Sequence, residues 1–344
     1  MVNLKNYICT NPFQYTEIME DRQTFCCPQW LEEYFEGNNI DYRESWSSNK
    51  ANDIRDSILD GSFKYCSTDK CPHLSTLLHT GNMPRGPLRI KTDKLVSQLK
   101  EETKKGPKEI KFIFDQACNL ACPSCRNDFV KNSKEIYVNS NTKLDKLSSA
   151  YSNSVEKISM SGAGDPFYSD SFFKFLVNID KSQFPKLNHI HLHTNGILWN
   201  SHNWNKIKNS HSLIKSTEIS IDAATKETYK VVRKGGNFEI LTRNLNFIKH
   251  LNLNDFNFSF VVQKDNYKEI VPFFYYIANI FNKQLKRGVV TISFTKIMNW
   301  GNLTEEKFND MAIWQSNHPE HYKLLQEVEK LNSLKNSSII TNLF

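Results

Sequence analysis

The 344-residue sequence has no apolar run near the ~20 residues needed to cross a bilayer, and its mean hydropathy is −0.54, so a membrane-spanning protein is not expected. Residues 1–10 lack the basic-then-apolar pattern of a secretory leader, which points to the cytoplasm. No internal repeat and no low-complexity tract interrupts the chain. In a reducing compartment, eight cysteines are not expected to pair as disulfides, and their grouping reads as metal ligation instead. The net charge of +7 is spread along the chain. It is densest at Lys94, Lys100, Lys104, Lys105 and Lys108, among Glu101, Glu102 and Gly106-Pro107. A solvated linker accounts for that mixture. A nucleic-acid partner is not expected, because the aromatics fall at core spacings instead of between the basic residues.

What is present begins with a rhythm. From residue 110 onward, β-rich runs at 110–115, 157–161, 189–194, 217–222, 257–262 and 289–295 alternate with helical stretches. Such alternation predicts an α/β fold of parallel strands with crossover helices. Within the strands one parity is apolar, as in Ile190 with Leu192, Ile219 with Ile221, and Phe258 with Phe260. The other parity is polar: Ser159 and Ser161, then His189, His191, His193 and Asn195, then Glu218, Ser220 and Asp222, then Asn257 and Ser259. A filled eight-stranded barrel is lined by Val, Ile and Leu, so six strands with a polar inner parity predict a partial (β/α)6 TIM-like barrel around a polar ligand. The expected division is 1–80 for a small cysteine-rich domain, 81–109 for the linker, 110–302 for the partial barrel and 303–344 for a helical tail. A capping box at Asn266 and Glu269 and a helix kinked or started late by Pro272 complete the pattern.

Cys118, Cys122 and Cys125 lie in the octet CNLACPSC, directly after the first of these strands, where parallel α/β folds place their chemistry. A four-iron cluster held by three thiolates keeps one iron open to an exchangeable ligand. Structural zinc takes four closed ligands, and no fourth Cys or His lies in this loop, although His189, His191 or His193 could supply one in space.

The CxxxCxxC spacing resembles the radical S-adenosylmethionine (SAM) superfamily and its branch with SPASM or twitch auxiliary-cluster domains. Later motifs follow in the family's order. Gly162, Ala163, Gly164, Asp165 and Pro166 resemble the GGEP-type turn, whose backbone in the family holds the methionyl amine of SAM. Asn195 ends the third strand, and Ser220 with Asp222 resembles the segment that meets the ribose or methionyl group. Arg233 is similar to the arginine that meets the SAM carboxylate. Ser124 stands where many members have an aromatic residue, and Asp165 where glutamate is common. Read without the family, Gly162 and Gly164 make a tight turn, Asp222 caps the helix beginning near Thr225, Arg233 sits on a solvated face, and the three histidines line a polar lumen or bind a metal.

Before residue 110, Cys9, Cys26, Cys27, Cys66 and Cys71 supply four ligands and one spare. Their surroundings resemble SPASM and twitch sequences, which implies a second, auxiliary 4Fe-4S cluster, here ahead of the barrel instead of behind it. Four thiolates suit zinc equally well. Cys26 is taken as the ligand over Cys27, leaving the other as a hydrogen donor to a substrate radical.

The resemblance implies reductive cleavage of SAM to methionine and a 5′-deoxyadenosyl radical, with an electron donor such as flavodoxin or ferredoxin as partner. It implies hydrogen abstraction from a peptide or protein, the auxiliary cluster assisting oxidation or cross-linking. Two other readings stand beside it. One is a radical SAM dehydrogenase, dehydratase or epimerase acting on a sugar, aminocyclitol or nucleotide. The other is a non-enzymatic zinc- or RNA-binding protein.

Overall fold

A computed structural model of the chain describes residues 2–25, 35–36, 40–68, 71–84, 86–180 and 182–343. The chain divides into two compact units, each drawn from three stretches of sequence. The first comprises Met1–Asp115, Lys134–Ser161 and Ile179–Ile190, and the second Gln116–Ser133, Gly162–Asn178 and His191–Phe344.

In the first unit, β1 (Tyr7–Cys9) pairs antiparallel with β5 (Leu88–Ile90). A second sheet joins β2 (Tyr15–Ile18), β3 (Arg22–Thr24) and β4 (Phe35–Glu36) in antiparallel fashion, and β2 then pairs parallel with β6 (Glu109–Phe112) and β6 with β7 (Lys157–Met160). The helices are α1 (Asn11–Gln14), α2 (Tyr42–Ser47), α3 (Asn49–Leu59), α4 (Pro72–Thr80), α5 (Asp93–Thr103) and α6 (Lys134–Tyr151). Three of them begin where a short polar side chain accepts an orphan backbone N–H: Asp41 for α2, Ser48 for α3 and Thr92 for α5. At the end of α4, Gly81 takes φ 72°, a left-handed conformation that glycine adopts without steric cost.

The stretch read as a linker, 81–109, carries β5 and α5. Leu99 of α5 is fully buried, and Leu95 and Val96 pack on the same apolar cluster, so the helix is amphipathic. Its outer side is charged, with Lys94, Lys100 and Glu101 exposed; just past its end Lys104 pairs with Glu101 and Lys108 with Glu102. Charge on that side hid the apolar stripe from a reading based on charge density.

In the second unit, β8 (His189–Thr194, of which 191–194 fall here) is followed by β9 (Ile214–Ser220), β10 (Asp255–Val262), β11 (Val290–Lys296) and β12 (Ile339–Asn342). β9, β10, β11 and β12 pair in that order, all parallel. Between and around them run α7 (Asp170–Asn178), α8 (Ser201–Lys206), α9 (Lys226–Val232), α10 (Phe238–Ile248), α11 (Ile270–Ile280), α12 (Asn282–Lys286), α13 (Glu305–Met311) and α14 (His321–Ser333). The expected α/β fold of parallel strands alternating with helices, that of a partial (β/α)6 barrel, is present, and the six expected strands are β6 to β11. Pro272 sits in the first turn of α11, where its missing N–H costs nothing. In the tail, Leu324, Val328 and Leu331 of α14 are buried as a stripe, while Leu325 is exposed. β12 is an addition to the expected helical tail.

The alternation seen in the sequence is realised as burial. Ile190, Leu192, Ile219, Phe258, Phe260, Ile292 and Phe294 are fully buried, whereas His191, His193, Glu218, Ser220 and Asn257 are half-buried. One pleat face therefore builds the core, and the other carries polar groups at successive strands.

Candidate functional site

The loop bearing Cys118, Cys122 and Cys125 belongs wholly to the second unit, as do the 162–166 turn, Asn195, Ser220, Asp222 and Arg233, whereas His189 falls in the first. Backbone bonds fix the loop's shape. Cys118 N–H donates to Val130 O at 2.9 Å, Ala121 N–H to Lys234 O at 2.9 Å, and Cys125 N–H to Cys122 O at 2.9 Å. Cys118 and Cys122 are buried beside Leu120, and Cys125 is half-buried at the edge of the same cluster.

Each of the three sulfurs meets one side-chain N–H donor. Asn195 Nδ2 lies 3.7 Å from Cys118 Sγ, Arg233 Nη1 lies 3.6 Å from Cys122 Sγ, and Arg126 Nη2 lies 3.5 Å from Cys125 Sγ. Burial pushes the Cys118 thiol up to about 11, with the Asp165 carboxylate adding to the effect. Burial also raises Cys122, against the opposing pull of the Arg233 charge. Cationic and amide donors in this ring favour thiolates, and burial disfavours them, so a ligand that itself carries positive charge is what would resolve the conflict.

The donors are held in turn. Asp165, fully buried, accepts from Phe167 N (2.9 Å), Thr194 Oγ1 (2.7 Å) and Asn195 N (2.9 Å). Its carboxylate thus fastens the 162–167 turn to the end of β8 and is spent on protein donors. Burial pushes its pKa up, and these three donors oppose the push. Asn195 completes its bonds to Asn119 Oδ1 and from Ile197 N.

Arg233 is nine-tenths buried, with Nη2 2.9 Å from Asp222 Oδ2, and the other Asp222 oxygen accepts from Val261 N at 2.7 Å. Burial works against the Arg233 charge, but Asp222 and Cys122 outweigh it and hold the guanidinium above its ordinary pKa. Burial raises the Asp222 carboxyl too, opposed chiefly by Arg233. Arg233 therefore does not sit on a solvated face. Nor does Asp222 cap α9: Thr225 does, accepting from Thr228 N, while Glu269 accepts from Ala224 N, Thr225 N, Thr225 Oγ1 and Thr228 Oγ1. Glu269 forms no capping box with Asn266, whose amide instead ties Gln263 N, Asp222 O and Val261 O together.

Two non-glycine residues near these strand ends adopt left-handed backbone, Ser161 at φ 77° and Asp222 at φ 62°. Each costs roughly 1–3 kcal/mol and persists only where surrounding bonds over-determine it, as the anchoring of Asp222 by Arg233, Val261 and Asn266 does. Gly162 follows at φ 132°, which only glycine takes readily.

Below these strand ends the polar parity forms its own network. His191 Nδ1 meets Ser216 Oγ at 2.7 Å, and His193 Nε2 meets Ser220 Oγ at 2.9 Å with Glu218 at 3.6 Å. Ser220 Oγ bonds Ser259 Oγ at 3.0 Å, and Ser293 donates to Asn257 at 2.9 Å. The side chains beside the three sulfurs are thus an amide and two guanidinium groups, while His191 and His193 pair with serines.

In the first unit, Cys9, Cys66 and Cys71 share one apolar cluster with Ile8, Phe13, Leu74 and Leu77. Cys9 ends β1, and Cys71 occupies the N-cap position of α4. Cys26 and Cys27 lie outside the described residues. Among the described residues, no three His, Cys, Asp or Glu side chains converge tightly enough to hold a single metal ion.

Sequence reasoning missed Arg126 and Asn302, whose Nδ2 donates to Pro123 O within the cysteine loop at 3.0 Å, and it paired Glu269 with Asn266 instead of with residues 224–228. Of these only Arg126 carries a signal in the sequence, a cation immediately after the third cysteine. The donor set, three thiols on one loop each with its own N–H donor, fits a thiolate-held iron–sulfur cluster.

Comparison with known proteins gives the class. Residues 112–274, a little under half of the chain, match the family model described as the Radical SAM superfamily, so the chain carries a radical SAM domain. That stretch contains the cysteine loop, the 162–166 turn, Asn195, Ser220, Asp222 and Arg233. No curated protein matches the sequence. Among solved structures, SuiB of Streptococcus suis is 13% identical, with 90% of this chain and 66% of SuiB covered at a TM-score of 0.46. The structure of anSMEcpe with bound AdoMet is 18% identical, covering 68% of this chain and 62% of that one, TM-score 0.46. The FeFe-hydrogenase maturase HydG of Carboxydothermus hydrogenoformans is 14% identical over 68% and 58%, TM-score 0.37. The chain thus spans under two thirds of each of these proteins, and likenesses this distant carry nothing about function. No described helix is long and apolar enough to cross a membrane.

Proposed function

We propose that the protein is a radical SAM enzyme that reductively cleaves SAM and abstracts a hydrogen atom from a peptide or protein substrate. The observation that carries this reading is the ring of donors around Cys118, Cys122 and Cys125, inside the segment that matches the family. When bound on those thiolates, a 4Fe-4S cluster with one open iron supplies the electron for SAM cleavage.

The chain's own tasks are positioning and exclusion of water. Gly162 and Ala163 present exposed and half-buried backbone beside the cysteine loop, suited to the methionyl amine of SAM. Asp165 acts by fixing Asn195 against Cys118, and Arg233 by fixing Cys122 against Asp222. Among the described residues the buried Arg233 Nε has no hydrogen-bond partner, which leaves a donor for the SAM carboxylate. Ser220 lies on the polar face two residues from Asp222, within reach of a ribose or substrate hydroxyl.

Cys9, Cys66, Cys71 and Cys26 or Cys27 hold the auxiliary cluster in this proposal, which accepts the electron left on the substrate. A flavodoxin or ferredoxin is the expected donor, and the cytoplasm the expected location. A second reading rests on the His193–Ser220–Ser259 network, whose hydroxyl and imidazole groups also suit a sugar, aminocyclitol or nucleotide.

The test is anaerobic reconstitution followed by reduction with SAM present. Formation of 5′-deoxyadenosine is expected, and stimulation by a short peptide encoded nearby supports the first reading over the second. A fully iron-loaded sample that leaves SAM intact sinks both.

A further inference from the structure

Arg126 belongs to none of the motifs that pointed to SAM, yet its side chain ties the two ends of the cysteine loop to the 162–167 turn. Its Nη1 donates to Gln116 O at 2.7 Å, at the start of the cysteine loop. Its Nη2 donates to Cys125 Sγ at 3.5 Å and also to Ala163 O, in the turn proposed for the SAM amine. Guanidinium is the one side-chain group with several donors fixed in a plane and a permanent charge, so these three acceptors are held at set positions relative to one another. Cys125 is the most exposed of the three thiols, and therefore the one whose neighbours decide how much water reaches its sulfur.

We propose that Arg126 is a positioning residue that binds the Cys125 thiolate and the Ala163 carbonyl to one rigid fork, so that a single side chain both tunes the cluster's reduction potential and sets the turn that receives SAM. This rests on the function proposed above. A positive donor on a cluster thiolate stabilises the form that carries the extra electron, and hydrogen bonds to sulfur are among the recognised determinants of such potentials. Removing the donor makes the cluster harder to reduce. Removing the fork while keeping the charge releases Ala163, and with it the register of the turn. Outer partners of metal ligands commonly change affinity or activity by about 10–100-fold when replaced, and an effect of that size is expected on SAM cleavage.

The test compares wild type, Arg126→Met and Arg126→Lys after anaerobic reconstitution, following the reduced cluster whose electron paramagnetic resonance signal responds to added SAM. Arg126→Met is expected to load iron as wild type does, to show a more negative midpoint potential and to bind SAM more weakly. Arg126→Lys keeps the charge and is expected to stay near the wild-type potential while still losing SAM affinity. Should Arg126→Met fail to load, the Lys variant decides alone, since unchanged SAM affinity there overturns the proposal. An iron-loaded Arg126→Met protein with wild-type potential and wild-type SAM response also overturns it. If wild type itself loads no iron, the proposed function fails and takes this inference with it. A SAM-cleaving wild type beside an indifferent Arg126→Met overturns the inference alone.

Discussion

The two groups of cysteines differ in what surrounds them. Cys118, Cys122 and Cys125 each face a named donor, and those donors are themselves anchored by Asp165, Asp222 and backbone carbonyls. Cys9, Cys66 and Cys71 pack together with Ile8, Phe13, Leu74 and Leu77 in one apolar cluster. In the function proposed above, the first group holds the cluster with an iron open to SAM and the second the auxiliary cluster, so the proposal assigns the two groups different tasks.

Replacing the cysteines of each group breaks the comparison most severely. Cys118→Ala, Cys122→Ala or Cys125→Ala should abolish SAM cleavage and remove about four irons per chain. Cys66→Ala with Cys71→Ala should lower the iron count by a similar amount while 5′-deoxyadenosine still forms. Cleavage lost equally in both sets would erase the distinction.

Arg233→Met tests the anchoring next. It leaves Asp222 buried without its counter-charge, and a loss of roughly 3–5 kcal/mol is expected in denaturant unfolding. Adding Asp222→Asn should return part of that loss. Asp165→Ala removes the acceptor for Phe167 N, Thr194 Oγ1 and Asn195 N, at a cost of at least ~1–3 kcal/mol, and should also shift the SAM-bound spectrum through Asn195. The smallest effect belongs to Glu269→Ala, which removes the acceptor for Ala224 N and Thr225 N just ahead of α9. About 1 kcal/mol of stability should go with SAM affinity unchanged.

Much of this site could be read from the chain because its residues sit at strand ends, where period-two alternation and turn residues are local signals. The six strands β6 to β11, the cysteine loop and Asn195 were legible for that reason, whereas Arg233, at the end of α9, was picked out by its likeness to the family's arginine. What alternation cannot reveal is a partner distant in sequence. Glu269 accepts from residues 224–228, more than forty positions away, Asn302 reaches Pro123, and Arg126 donates to Ala163 O. The helix α5 was hidden differently, since Lys94, Lys100, Lys104 and Lys105 outweighed a stripe of Leu95, Val96 and Leu99 when charge alone was read. Asp222 looked like a helix cap because Asp commonly is one, and only tertiary structure placed it on Arg233.

The central claim is that the Cys118, Cys122 and Cys125 loop holds a four-iron cluster with an iron open to SAM. Its most direct test is the paramagnetic resonance spectrum of the reduced Cys66→Ala/Cys71→Ala protein, recorded with and without SAM. A single cluster signal that changes when SAM is added, and that disappears on Cys125→Ala, is the predicted result. A signal indifferent to SAM, or one that survives the loss of Cys118, Cys122 and Cys125 together, would contradict the account.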